Sequence, residues 1–261
     1  MTEYLLGGKP LEKNPGAVGN IEIDEFFNQF LETVKTQLPA TEYKDSLINA
    51  LQGYYKPGST MVKSFTGFLN HFYEDSGLIF VNSNTAELKK ILQPVFHKEI
   101  NSNSTVSQLV IEKSAELEER YHAQVKAKSI NLFMFHKGGR FSIEPSEHDY
   151  YLKNTRQRFT KDELNTVVVN SPEAFSPNVV LRPICQDTLL PTAAYVAGPG
   201  EIAYFAQLKS VYEFFYVTMP IIYPRASVTI VEEKIQKVLD KFSLDVLDMY
   251  GEIDQILNKV S

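Results

Sequence analysis

Apolar and polar positions change their spacing several times along the chain, and each change predicts an element. From Asp24, the residues Phe26, Phe27, Phe30, Leu31 and Val34 recur three and four apart, which predicts a helix with one buried face. Asp24 suits its N-cap and Pro39 its end. A second helix is predicted over 41–54, with Leu47, Ile48 and Leu51 as its stripe. After a turn at Lys56-Pro57-Gly58-Ser59, a third helix capped by Ser59 or Thr60 carries Phe65, Phe68, Leu69 and Phe72. Residues 77–81 then form a continuous apolar run, the pattern of a strand buried on both faces. The polar loop Asn82-Ser83-Asn84-Thr85 and a helix with Leu88, Ile91, Leu92, Val95 and Phe96 follow. Helix, buried strand, polar loop and helix in that order predict an α/β sheet, in which ligands gather beyond strand ends. A plain helix cap explains Asn82, Ser83 and Asn84 equally well.

Farther along, 102–127 has the pattern of a long polar helix, 130–136 that of a strand, and Lys137-Gly138-Gly139-Arg140 that of a hairpin turn, with the chain returning over 141–143. Residues 144–165 are polar, and Val167, Val168 and Val169 fit either a short strand or a helix end. Leu189, Leu190, Ala193, Ala194, Tyr195 and Val196 lead into Gly198-Pro199-Gly200-Glu201. A helix with Ile202, Phe205, Leu208, Val211, Tyr212 and Phe215 is predicted next, then a strand over 220–225. A helical region over 230–260 keeps one charged face. The organisation expected is an extended, Gly- and Pro-rich lead-in over 1–23, an α/β core over 24–232, and a carboxyl-terminal helical segment over 233–261.

Composition narrows the function classes. Hydrophobic residues make up 43% of 261, enough for a core, while a formal charge of −6 disfavours a broad nucleic-acid face. The single cysteine, Cys185, excludes an intramolecular disulfide and a cysteine zinc site. It reads as a small buried side chain rather than a catalytic thiol. The five histidines are scattered without metal-ligand spacing, so no metal is indicated. No apolar run approaches the roughly 18 residues that span a bilayer, and the first residues lack a signal-peptide pattern. A protein of the cytoplasm, without membrane or nucleic-acid partners, is expected.

Three places carry candidate chemistry. Gly198-Pro199-Gly200-Glu201 lies between a predicted strand and a predicted helix, where glycines admit a ligand close to the backbone and free N–H groups attract anions. A tight turn capped by Glu201 fits the same residues, and Glu201 also suits an amine. In Ser176-Pro177-Asn178-Val179-Val180-Leu181-Arg182-Pro183, followed by Gln186 and Asp187, Arg182 lies among apolar residues, which is costly unless its charge is paired. A substrate carboxylate, a phosphate or Asp187 would each serve. Arg225, in Tyr223-Pro224-Arg225, follows a predicted strand end, and on the residues alone a surface arginine is the better reading.

The run Ser-Pro-Asn-Val-Val-Leu-Arg-Pro from Ser176, the run Gln-Asp-Thr-Leu-Leu-Pro-Thr-Ala-Ala-Tyr-Val-Ala-Gly-Pro-Gly-Glu-Ile-Ala-Tyr from Gln186, and Met-Pro-Ile-Ile-Tyr-Pro-Arg from Met219 closely resemble the bacillithiol-biosynthesis cysteine-adding enzyme family. Weaker matches extend the resemblance over about 16–232. It implies a partial Rossmann-like core with inserted helices, followed by the start of a coiled coil through which such proteins dimerise. It also implies a ligase that joins L-cysteine to glucosaminyl-malate, with ATP or ADP as a nucleotide. The residues it puts forward for substrate or nucleotide are Asn178, Arg182, Gln186, Gly198, Gly200, Glu201, Tyr204 and Arg225; no catalytic base is indicated. The Thr-Gly-Gln-Gln and acidic-His-Asp motifs of the family's earlier region do not occur here, so the resemblance implies a fragment. The alternative function is a non-catalytic remnant that binds nucleotide or dimerises.

Overall fold

The computed structural model describes residues 17–260, so the expectations for Gly7, Gly8, Pro10, Pro15 and Gly16 lie outside the described residues. The chain divides after Tyr223 into two compact units.

The larger unit opens with three helices where the apolar stripes predict them: α1 (Phe26–Gln37), α2 (Lys44–Tyr54) and α3 (Met61–Tyr73). Asp24 Oδ1 accepts the Phe26 N–H at the start of α1. Ile23, Phe27 and Leu31 form a small core of their own. Residues 77–81 are not a strand. The segment is irregular, with Ile79 83% exposed and Leu78 and Val81 each 50% exposed. An apolar run becomes a strand only where neighbours accept its backbone hydrogen bonds, and no described strand lies alongside it.

The predicted helix around Leu88–Phe96 is two, α4 (Ala86–Ile91) and α5 (Gln93–Ile100), with Pro94 in the first turn of the second. α6 (Thr105–Glu118) is shorter than expected. Beyond it the buried Gln207 side chain accepts the N–H groups of Gln124 and Val125 and donates to Val125 O and Ser114 Oγ. These bonds satisfy a backbone that a continued helix would otherwise have satisfied.

A five-stranded sheet follows: β1 (Leu132–His136), β2 (Gly139–Pro145), β3 (Tyr150–Leu152), β4 (Arg158–Phe159) and, after α7 (Lys161–Asn170), β5 (Phe175–Pro177). Its order is β4-β3-β2-β1-β5, and every neighbouring pair is antiparallel. The β1–β2 hairpin turns at Lys137 and Gly138, whose φ values of 47° and 79° are the left-handed pair that such turns require. Val167, Val168 and Val169 end α7, which starts in a capping box: Thr160 Oγ1 accepts the Glu163 N–H while Glu163 accepts the Thr160 N–H.

The rest of this unit is α8 (Leu181–Leu189), β6 (Ala194–Ala197), α9 (Pro199–Phe205), α10 (Lys209–Phe215) and β7 (Ile221–Pro224), with β6 and β7 paired as a two-stranded sheet. One core joins α5, α6, α7, α8 and α10 to the inner side of the five-stranded sheet through Phe96, Val110, Leu132, Leu164, Phe175, Ile184 and Val211. In the carboxyl-terminal unit, α11 (Glu233–Lys241) and α12 (Ile253–Val260) are separate short helices with a 3-10 turn between them, rather than one continuous helix. Ser243, at φ 53°, turns the chain after α11.

Candidate functional site

α8 was not predicted as a helix, and it positions most of the site. Asn178 caps it: the Oδ1 accepts the N–H groups of Val180 and Leu181 at 2.9 and 3.2 Å, and the Nδ2 donates to Asn131 Oδ1 at 2.8 Å. Both polar atoms of Asn178 are thereby used within the protein. Pro183 stands in the first turn, where no helical N–H bond is required. Leu181 and Ile184 are buried in the core, while Arg182, Cys185, Gln186 and Leu189 recur at helical spacing along a pocket of about 230 Å³. The facing side comes from Val81 and Ser83 of the irregular segment and from Lys89 and Leu92, with Pro177 at the end of β5. Among the described residues no carboxylate lines this hollow.

Arg182 is half-buried. Its Nη1 donates to Gln186 Oε1 at 3.0 Å, and its Nη2 to Tyr204 OH at 2.6 Å and Tyr195 OH at 3.4 Å. All these acceptors are neutral. Asp187, the alternative partner, instead accepts the Tyr212 hydroxyl at 2.5 Å and Gln186 Nε2 at 3.3 Å. Among the described residues Arg182 has no carboxylate partner. Two tyrosines and a glutamine orient its charge, and none of these described partners neutralises it beside the pocket.

Lys89 enters from α4. It is 3% exposed, and its Nζ donates to Phe175 O at 2.8 Å and lies 5.8 Å from the Phe96 ring centroid. An ammonium has three donors, and this is the one hydrogen bond Lys89 makes among the described residues. Burial lowers its pKa to about 8, the nearby Arg140 charge pushes the same way, and Cys185 opposes them. Cys185 is buried, and burial pushes its thiol up to about 12, so it is a protonated packing group at neutral pH, as its sequence setting indicates.

The glycine turn differs from the anion cradle that its composition allowed. Glu201 Oε2 accepts the Gly198 N–H at 2.9 Å, and Glu201 Oε1 accepts the Tyr195 hydroxyl at 2.6 Å. The Glu201 carboxylate of the chain itself takes the Gly198 N–H, so the capped turn is present. Burial, with Glu201 adding to it, raises Tyr195 to about 12. A methyl group at Gly200 would meet nothing within 4 Å, so the fold does not demand glycine there.

Hydrogen bonds therefore connect Gly198, Glu201, Tyr195, Tyr204, Arg182 and Gln186 in one network that ends at the pocket. Arg225 is exposed in the carboxyl-terminal unit and makes no hydrogen bond or ion pair among the described residues. The Asn82–Asn84 loop does reach a hollow: Ser83 lines this pocket, and Asn84 lines a second one with Phe135 and Glu173. The sequence reading missed Lys89. The signal was there, because Lys89, Leu92 and Phe96 are spaced three and four apart, which places a lysine on an apolar stripe.

Among the described residues no helix is long and apolar enough to cross a membrane, and no group of His, Cys, Asp and Glu could hold a metal ion. A family model described as "Bacillithiol biosynthesis BshC, N-terminal Rossmann-like domain" matches residues 7–226. A protein of Salinibacter ruber named "Putative cysteine ligase BshC" is 38% identical over 252 residues, which are 96% of this chain and 46% of the relative. Proteins of the same name from Chloroherpeton thalassium and Chlorobaculum tepidum are 41% and 39% identical over 83% and 78% of the chain, and 39% and 37% of their own lengths. The chain spans less than half the length of these relatives.

Proposed function

The chain belongs to the BshC family of bacillithiol biosynthesis, and from that premise we propose that it forms part of a ligase that joins L-cysteine to glucosaminyl-malate. In this reading the pocket beside α8 receives an anionic group of a substrate or of an adenine nucleotide, and Arg182 holds it. The observation that carries the proposal is the guanidinium of Arg182, which has no carboxylate partner among the described residues. Tyr204, Tyr195 and Gln186 fix its plane through neutral acceptors, and the carboxylate next to it, Asp187, is engaged by Tyr212. A planar fork with a fixed direction is suited to a carboxylate or phosphate.

Amide formation needs a carboxylate held in place and activated, so that one of its oxygens leaves with the activating group as the C–N bond forms, and an amine that has shed its proton. Arg182 supplies the holding. Glu201 acts through Tyr195, whose hydroxyl it orients toward the guanidinium side of the network, and so positions rather than binds. Asn178 contributes by capping the helix that carries Arg182 and Gln186. Gly200 leaves open space at the start of α9.

Replacement of Arg182 with alanine in a full-length relative should weaken substrate binding by about 2 kcal/mol, the scale of a lost hydrogen bond to a charged group. Unchanged bacillithiol output would remove Arg182 from the site. The alternative reading is a non-catalytic portion that binds nucleotide or dimerises. Calorimetry of the 261-residue chain with ADP, cysteine and glucosaminyl-malate separates the two. Nucleotide binding without binding of either substrate supports the second.

A further inference from the structure

Lys89 is a buried charged group that the reading above leaves without a role. It is almost fully buried, has one backbone carbonyl as its hydrogen-bond acceptor, and lines the same pocket as Arg182 with Cys185 between them on the α8 side. The charged and titratable groups that bear on it directly are Arg140 from β2 and Cys185 from α8, and neither is an anion at neutral pH; the buried carboxyl of Glu99 on α5, whose pKa burial raises, bears on Cys185 and does not line the hollow. A buried ammonium without a counter-ion is strongly disfavoured. An apolar residue of similar volume would fill the position at less cost, since its neighbours in the hollow are Leu92, Leu189 and Val81. Two cations and, among the described residues, no carboxylate on one small hollow make a site that suits something negative entering it.

We propose that Lys89 is a second anion-recognition residue of this pocket, and that with Arg182 it selects a small ligand carrying two negative charges, a dicarboxylate or a phosphoryl group, over a singly charged one. This rests on the reading of the pocket given above. The ligand takes the two donors of Lys89 that the protein leaves unused and restores the charge balance that the fold omits. Entry of the anion also favours the protonated amine, so binding carries proton uptake at alkaline pH, where the empty pocket has let that proton go.

Isothermal titration of the full 261-residue chain with succinate, inorganic phosphate and acetate tests this, in buffers of different ionisation enthalpy at pH 7 and pH 9.5. Succinate or phosphate should bind at least tenfold more tightly than acetate, and its affinity should fall at least tenfold between the two pH values. Lys89→Met should lose at least tenfold at pH 7 and lose the pH dependence with it. Lys89→Gln, which keeps a donor for Phe175 O, should behave in the same way and guards against a packing artefact. Arg182→Met should weaken binding but keep the pH dependence. If Arg182→Met weakens binding while both Lys89 variants bind like the parent, the role of Lys89 falls and the pocket reading stands. If neither position matters, or no dianion binds, both fall. The stronger of succinate and phosphate identifies which of the two chemistries the site takes.

Discussion

The two sheets of the larger unit are made of similar residues and have opposite environments. The five-stranded sheet keeps Leu132, Ile143, Leu152 and Phe175 at 1% exposure or less, because α5, α7 and α8 close over it. The two-stranded β6–β7 sheet leaves Val196 58%, Ile221 71% and Tyr223 63% exposed. The irregular segment with Ile79 is equally open. Apolar sequence is therefore not what decides burial. The number of neighbouring elements is, and an isolated pair of strands is marginal without a covering layer. The pocket lies between these two regimes, with β5 and α4 supplying its buried wall and α8 joining it to the network that runs on to β6 and α9.

Four substitutions sharpen or break that contrast. Phe175→Ala, whose ring lies 6.0 Å from that of Phe96 in the closed core, should cost about 3–5 kcal/mol in urea denaturation; a loss below about 1 kcal/mol would mean the five-stranded sheet is not the structural centre.

Lys89→Met should stabilise the chain by about 1–3 kcal/mol at pH 7. The pKa of Lys89 falls from 10.5 to about 8 on folding, so the unfolded chain binds the proton more tightly. The parent then gains stability as pH rises from about 8 toward 10.5, and the advantage of the variant shrinks over that window. A difference that stays flat with pH would contradict a buried, titrating Lys89.

Gly200→Ala, on the open side, should stabilise α9 by roughly 0.5–1 kcal/mol, readable as a higher melting temperature, since the added methyl meets nothing. Ile79→Ser should change stability by less than about 0.5 kcal/mol and lower light scattering at high concentration. A large loss would show that the 77–81 segment is more tightly held than its exposure indicates.

Much of the fold could be read from spacing. The stripes of α1, α2 and α3 and the β1–β2 hairpin follow from period and turn chemistry, because the partner contacts are near in sequence or the turn residues are specific. α7 could have been found too, since Thr160 and Glu163 are the two halves of a capping box. α8 was harder. Pro183 and a short stripe disguise it, and its cap depends on Asn178, held in turn by Asn131 on a distant segment. The break of α6 depends on Gln207, far along the chain. In the candidate site, Arg182 stands out in the sequence because a charge among apolar residues needs a partner. Which partner was available was invisible, because it turned on Tyr212 taking Asp187.

The sequence by itself determined the family, the α/β character, the positions of most helices and the presence of a costly arginine near a glycine turn, since those rest on local period and on the identity of contiguous residues. Only the tertiary structure decided that residues 77–81 remain unpaired, that Glu201 fills the glycine turn, and that Lys89 faces the same hollow as Arg182. Each of these depends on which backbone donors, carboxylates and charges meet across long separations in the chain, and hydrogen bonding and burial act on that meeting rather than on the order of residues.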